Sequence, residues 1–374
     1  MNFPGLDLAW TYGHHAGHTL RLMRTWSLAE TRAGVDRGEK ILVVATTALG
    51  DSLLTTPLVE TLSERLGRER VSLLVKAPYL GLYEKDPRVS NVFTVRGKYR
   101  WGGLRDKLED DPHRIALIAN MTEPDLIPFL WQCGVRGFLR YRTRWTRFPR
   151  WMANAPMMRR PGTPDYATGH AIENNLAMAR ALGVEATTRR LLLPHLRSEP
   201  GARENRVLIH PGASREIKRW PVENWARLGD ALATKFGCQI AITGDRSELS
   251  LAVQIAAAMK TPAQNLAGKL SLVELAQMEA KSLAFLSGDT GPYHLAVAVG
   301  CPTVTLFAPT DRGSSMEACG PHQANAIFHH AIQTAKLRDS IHTIPYEKVL
   351  NEASVVLAAV YDRKSNDAVG ERRS

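Results

Sequence analysis

Cysteine is scarce in this chain of 374 residues: four, at positions 133, 238, 301 and 319, with no CxxC pair. That usage offers neither a disulfide framework nor a zinc site, and suits the reduced thiols of a cytosolic protein. No apolar run approaches the roughly 20 residues of a membrane-spanning helix. The opening MNFPGLDLAWTYGHH lacks a basic stretch leading into an apolar block, so no export signal is expected. A GxGxxG turn is missing too, which removes the dinucleotide fingerprint. Acidic residues are in the minority, 37 against 48 Lys plus Arg, for a net charge of +11.

What is present is globular: 44% hydrophobic and 23% charged residues, over a length that suits two domains. The positive excess is uneven. Between Arg136 and Arg160 lie eight Arg and no acid, interleaved with Phe138, Tyr141, Trp145, Phe148 and Trp151. Such a segment suits an anionic surface, whether phospholipid, lipid-linked phosphate or nucleic acid. It equally suits a solvated loop whose Arg stems pack alongside apolar groups.

From Glu39 onward short apolar runs alternate with amphipathic ones. KILVVAT, RVSLLVKAP, DPRVSNVFTVR and RIALIANM read as strands, separated by helical patterns. After a polar stretch, TRRLLLPHLRSEPGAREN, the alternation restarts. RVLIHPGAS, CQIAITGD, LAFLSGDTG and PTVTLFAPT are strands. WPVENWARLGDALATKFG, SELSLAVQIAAAM and PYHLAVAVG are helices. This is the pattern of parallel α/β sheets. It divides the chain into an extension (1–38), an N-terminal Rossmann-like domain (39–195), a C-terminal one (206–345), and a last helix with tail (346–374). Ligands of such sheets bind beyond the carboxyl ends of the strands.

Four turns there hold residues that could do chemistry. In Ala48-Leu49-Gly50-Asp51-Ser52, Asp51 reads as a helix N-cap or as a general base on a hydroxyl. In HPGASREIKRWP, Gly212, Ser214 and Lys218 combine small residues with a cation, as a phosphate needs, or form a basic surface loop. In TGDRSEL, Glu248 suits ribose hydroxyls or a capping box. In GDTGPYH, Thr290 and Gly291 would offer N–H groups at a helix N-terminus, with Pro292 needing no partner for a missing N–H. Asp289 would repel a phosphate there, so it fits sugar hydroxyls or the cap. His294, in the first helical turn, reads alone as an ordinary satisfied polar group.

Taken in order, ALGD, then HPGAS…KRWP…W, then GDTG..H…A…G.PTV.LF.PTD resembles the heptosyltransferases of glycosyltransferase family 9, which extend the lipopolysaccharide core. The resemblance runs over about 39–312, with its most specific motifs in 206–311. It implies a GT-B fold, α/β, with two Rossmann-like parallel-sheet domains facing across a cleft. It also implies a cytoplasmic, inverting, metal-independent transfer of heptose from ADP-heptose to a hydroxyl of a lipopolysaccharide-type glycolipid, with no cofactor. The lack of an Asp-x-Asp motif agrees with the metal independence.

By position, Asp51 matches the family's base and Lys218 its lysine on the donor phosphates. Glu248 matches the ribose carboxylate. Leu270 matches a position that meets the adenine through its backbone. Asp289, Thr290, Gly291 and His294 match the donor signature, with Gly212 and Ser214 in the same donor site. Two departures stand out. The first turn has Ala-Leu-Gly-Asp where the family has Ser before Leu or Met, and NMTEPD follows ALIA where an Asp with a nearby Gly is expected. Another nucleotide sugar, for a capsule or O-antigen, and a non-catalytic sugar-nucleotide or anionic-surface binder remain as alternatives. The turn constellation has no use in a nucleic-acid binder, so no nucleic-acid partner is expected. The Arg136–Arg160 segment is expected to seat the protein peripherally on the anionic inner face of the membrane.

Overall fold

A computed structural model describes residues 25–96, 103–120, 126–140, 169–198, 203–310, 314–322 and 328–370, with side chains to 363. The chain forms two compact units, Met1–Thr188 and Arg189–Ser374.

The first unit holds strands β1 (Ile41–Ala45), β2 (Val71–Lys76), β3 (Asn91–Val95), β4 (Ile115–Asn120) and β5 (Gly137–Arg140). They form one parallel sheet in the order β3-β2-β1-β4-β5. β1 is buried at every position, which is why it reads as an unbroken apolar run rather than an alternating one. Leu42, Val44, Leu74, Ala116 and Ile118 meet Leu104, Leu108, Phe129 and Leu130 in the core on one side of it. The register between β1 and β4 shifts after Val44, so that Val44 faces Ile118 but Ala45 faces Asn120.

The second unit holds β6 (Arg206–His210), β7 (Gln239–Ile242), β8 (Ala263–Asn265), β9 (Ala284–Gly288), β10 (Thr303–Phe307) and β11 (His329–Gln333). This sheet is also parallel, in the order β11-β10-β9-β6-β7-β8. The helix Val222–Phe236 ends at Gly237, whose φ of 61° supplies the left-handed turn. The helix Tyr346–Gly370 returns to the same core, inserting Val349, Ala353, Val356, Leu357 and Val360. Trp220 locks its start: the indole packs edge-on against Trp225 at 5.1 Å and donates to Ile344 O at 3.2 Å.

Several stretches of the chain lie otherwise than the sequence pattern suggests. Arg136–Arg140, the start of the Arg-rich segment, is edge structure of the first sheet rather than a loop. Phe138 is 2% exposed in the core, and Arg136 lies over Trp131 while donating to the carbonyls of Trp131 and Val135. Residues 141–160 of that segment lie outside the described residues. The helix Leu28–Asp36, closed by a Ser27–Glu30 capping box, belongs to this unit. Gly137 leaves the space that Thr31 fills, since a Cβ there would lie 2.7 Å from Thr31 Cγ2. Strands β5, β8 and β11 escape the sequence pattern for one reason. Each lies at or near a sheet edge, and β8 (AQN) and β11 (HHAIQ) are polar where central strands are apolar.

Candidate active site

Each sheet has one place where the strand order reverses: between β1 and β4 in the first unit, between β6 and β9 in the second. Loops leaving two such neighbours part in opposite directions and open a crevice at their carboxyl ends. The chemistry-bearing side chains gather at these two places.

In the first unit, Asp51 stands in the opening turn of the short helix Leu49–Leu53, just beyond β1. Ala48 is the N-cap, and no side chain caps it. The Asp51 carboxylate is used otherwise: Oδ2 lies 2.7 Å from Thr47 Oγ1. Asn120, at the end of β4, reaches across the reversal. Its Oδ1 accepts from Thr47 N–H at 3.1 Å and its Nδ2 donates to Asp51 O at 3.1 Å. Tyr79, in the turn after β2, donates to Thr47 O at 3.5 Å. Burial raises its phenol above the ordinary tyrosine range, and the Asp51 charge adds to that.

In the second unit the reversal is bridged by an ion pair. Lys218, in the loop after β6, donates to Asp289 Oδ2 at 2.7 Å, both side chains being largely shielded from solvent. Gly288 permits this approach, since a Cβ there would lie 3.2 Å from Lys218 O. His294 Nε2 lies 3.9 Å from the other Asp289 oxygen. Thr290 is the N-cap of the helix Gly291–Ala298, yet its side chain makes no cap bond. Its Oγ1 is buried without a hydrogen-bond partner among the described residues. A cation, a carboxylate, an unused hydroxyl and a helix N-terminus thus share one corner.

Glu248 sits in a second cluster, beyond β7. It closes a capping box with Asp245, accepting from Asp245 N–H at 2.9 Å through Oε2. Oε1 takes no hydrogen bond among the described residues. The carboxylate lies directly on the backbone of Gly212, where a Cβ would stand 1.8 Å from Oε1. Burial raises the Glu248 carboxyl above its ordinary value; the hydrogen bond from Asp245 N–H opposes this, the Asp245 charge adds to it, and the Arg219 charge opposes it. His210, the last residue of β6, shares a hydrogen bond with Thr243 Oγ1 at 3.1 Å and stacks on Phe285. Burial pushes its imidazole down to about 4, so it is neutral at pH 7 and its 3.9 Å approach to Glu248 is no ion pair.

Among the residues singled out from sequence, Lys218, Asp289, Thr290, Gly291 and His294 come together at the β6/β9 reversal. Gly212 and Glu248 touch each other beside them. Ser214 is exposed and Leu270 half-buried, on the loops after β6 and β8. Leu270 follows a turn tied to the Glu248 loop, where Gly268 N–H donates to Gly244 O at 2.9 Å. Sequence reasoning gives no role to Thr47, Tyr79 or His210, and marks Asn120 only as a departure from an expected Asp. Two of them carry a signal: Asn120 and His210 are polar carboxyl ends of strands with apolar interiors.

A family model described as glycosyltransferase family 9 (heptosyltransferase) matches residues 164–343. Lipopolysaccharide heptosyltransferase 3 of Escherichia coli is 25% identical over 286 residues, 70% of this chain and 81% of its own. Lipopolysaccharide heptosyltransferase 2 of E. coli K12 is 25% identical over 363 residues, 85% of this chain and 98% of its own. The solved structure of E. coli ADP-heptose lipopolysaccharide heptosyltransferase II superposes with a TM-score of 0.67 at 20% identity, covering 86% of this chain and 99% of that one. At that identity the likeness bears on the fold, which is GT-B.

Proposed function

Given that the chain is a heptosyltransferase-like glycosyltransferase of family 9, we propose that it moves a heptose from ADP-heptose to a hydroxyl of a lipopolysaccharide-type glycolipid, with inversion and without a metal ion. The observation that carries this reading is the Lys218–Asp289 pair spanning the β6/β9 reversal beside the N-terminus of the helix at Gly291. A nucleoside diphosphate needs cations and N–H donors held at fixed positions, and this corner provides both.

The chemistry is a single displacement. Asp51 takes the proton of the acceptor hydroxyl as its oxygen attacks the anomeric carbon from the face opposite the diphosphate. The bond to the leaving oxygen breaks and ADP departs with the electron pair. Negative charge grows on the diphosphate during this step, and Lys218 and the N–H groups of the Gly291 helix turn stabilise it. Preorganised groups of this kind are worth on the order of 10²–10³ in rate each. Thr290 Oγ1 would find its partner in a phosphate oxygen. Asp289 keeps the lysine placed, and His294 stands behind it. Glu248 offers Oε1 to the ribose hydroxyls, with Gly212 and Ser214 lining the approach and the backbone at Leu270 facing the adenine.

Among the described residues no helix is long and apolar enough to cross a membrane. On this reading the contact with a lipid-linked acceptor's anionic surface is assigned to the Arg-rich sequence that continues past Arg140. Equal co-sedimentation with neutral and anionic vesicles would remove that contact from the reading.

Calorimetric titration with ADP-heptose, ADP, UDP and GDP tests the donor, with Lys218→Ala alongside. Selective binding of ADP-heptose, weakened on the order of tenfold or more in the variant, is the expected result for a lost charge-assisted contact. Preferential binding of UDP or GDP would keep the fold and overturn the heptose assignment.

A further inference from the structure

We infer that Thr47 and Asn120 form a positioning pair for Asp51, Thr47 holding one carboxylate oxygen so that the other is presented to the acceptor hydroxyl. The inference rests on the reading of Asp51 as the base.

Both ends of the Asn120 amide bond the loop that carries Asp51. Oδ1 accepts from Thr47 N–H at 3.1 Å and lies 2.6 Å from Thr47 Oγ1, while Nδ2 donates to Asp51 O at 3.1 Å. The amide can face only one way, because a backbone N–H requires the oxygen on one side and a backbone carbonyl requires the nitrogen on the other. Asn120 therefore ties the first and last residues of the turn, 47 and 51, to the end of a different strand.

The backbone has been altered to allow this. Residue 119 is an extra step in β4, so Asn120 rather than Ala119 faces Ala45. Bulges are rare between parallel strands, and they re-aim a side chain that a regular ladder would point elsewhere. Thr46 N–H donates to Asn120 O at 3.1 Å, which carries the pairing one residue past the bulge.

Thr47 Oγ1 has one proton and two acceptors in reach, Asp51 Oδ2 at 2.7 Å and Asn120 Oδ1 at 2.6 Å. Asn120 Oδ1 already accepts from Thr47 N–H, and a carboxylate is the stronger acceptor, so the hydroxyl proton goes to Asp51 Oδ2; the Asp51 oxygen without a hydrogen-bond partner among the described residues is then Oδ1. Thr47 is 6% exposed, so its hydroxyl is no surface decoration. Tyr79, whose phenol burial raises above the ordinary tyrosine range, faces this loop through Thr47 O, and the Tyr83 hydroxyl lies 3.0 Å from Ser52 Oγ just after Asp51. The Thr-Thr-Ala-Leu-Gly-Asp turn thus carries its own orienting hydroxyl four residues before the carboxylate.

The test uses the full chain with Asp51→Asn, Thr47→Val, Thr47→Ser and Asn120→Ala. Heptose transfer is followed at saturating ADP-heptose, and ADP affinity by calorimetry. Thr47→Val should lower kcat about 10–10²-fold, the cost of a misplaced reacting group. Acceptor KM and ADP affinity should stay nearly unchanged, and Thr47→Ser should recover most of the rate. Full activity of Thr47→Val, or a Thr47→Ser variant as slow as Thr47→Val, overturns the pair if Asp51→Asn is inactive. An active Asp51→Asn overturns the base assignment itself. Should Thr47→Val fail to fold, Asn120→Ala carries the same comparison: an unchanged kcat there overturns the pair, and a lowered kcat with unchanged ADP affinity supports it.

Discussion

His210 shows how one buried side chain ties stability to pH. Its folded value is about 4, below the roughly 6.5 of an unfolded histidine. As pH falls through about 6.5 the unfolded chain takes up a proton that the native chain refuses until about pH 4. Stability is therefore unaffected above that window and is lost progressively within it, by on the order of 3 kcal/mol at the acid end. Urea unfolding at pH 7.5 and 4.5 checks this. His210→Asn should shrink the difference between the two midpoints relative to wild type, and an undiminished difference would assign the acid sensitivity to other groups. The same residue scale holds the clearest misreading of the site. Asn120 was seen only as a departure from an expected Asp, whereas its amide organises the loop of Asp51.

At the scale of elements, Gly212 lets the Glu248 carboxylate lie directly on the loop after β6. An added Cβ meets Glu248 Oε1 at 1.8 Å. Glu248 ends a flexible side chain and can swing away, at the cost of its bond to Asp245 N–H. That bond is worth about 1 kcal/mol. Gly212→Ala should thus lower stability by no more than about 1–2 kcal/mol while moving the carboxylate out of place. Calorimetry and thermal unfolding on the same variant should show donor affinity falling further than the change in stability accounts for. Wild-type donor affinity would mean that Glu248 does not touch the donor. Helices were legible where caps and terminators stood in the sequence, as with Pro221 and Gly237 around Val222–Phe236. The helix Leu272–Lys281 carries a Ser271–Glu274 capping box that the sequence reading passed over. β8 and β11 were not legible, because an edge strand needs only backbone pairing and leaves no apolar signature.

At the scale of the whole molecule, each unit has its own sheet and its own buried core. Lys218, Glu248, Asp289 and the Gly291 helix all belong to the second. Its core takes in the returning helix that starts at Tyr346, so a fragment must keep that helix to fold. Residues 189–374 produced alone should unfold cooperatively and bind ADP with an affinity within about tenfold of the full chain, one order of magnitude being about 1.4 kcal/mol. A fragment cut before 346 should not fold. A folded 189–374 fragment with no ADP affinity would show that the first unit supplies donor contacts.

The sequence by itself determined the class of fold, because a buried parallel strand must be continuously apolar and a covering helix must carry an apolar stripe. It also determined which turns hold small residues beside a charge. Which of those turns meet was decided only by the strand order, β3-β2-β1-β4-β5 and β11-β10-β9-β6-β7-β8. Lys218 and Asp289 are 71 residues apart in the chain and 2.7 Å apart in space. Local periodicity holds no term for that distance, since a strand pairs through backbone groups that every residue shares. The neighbour it takes is settled by the packing of the whole unit.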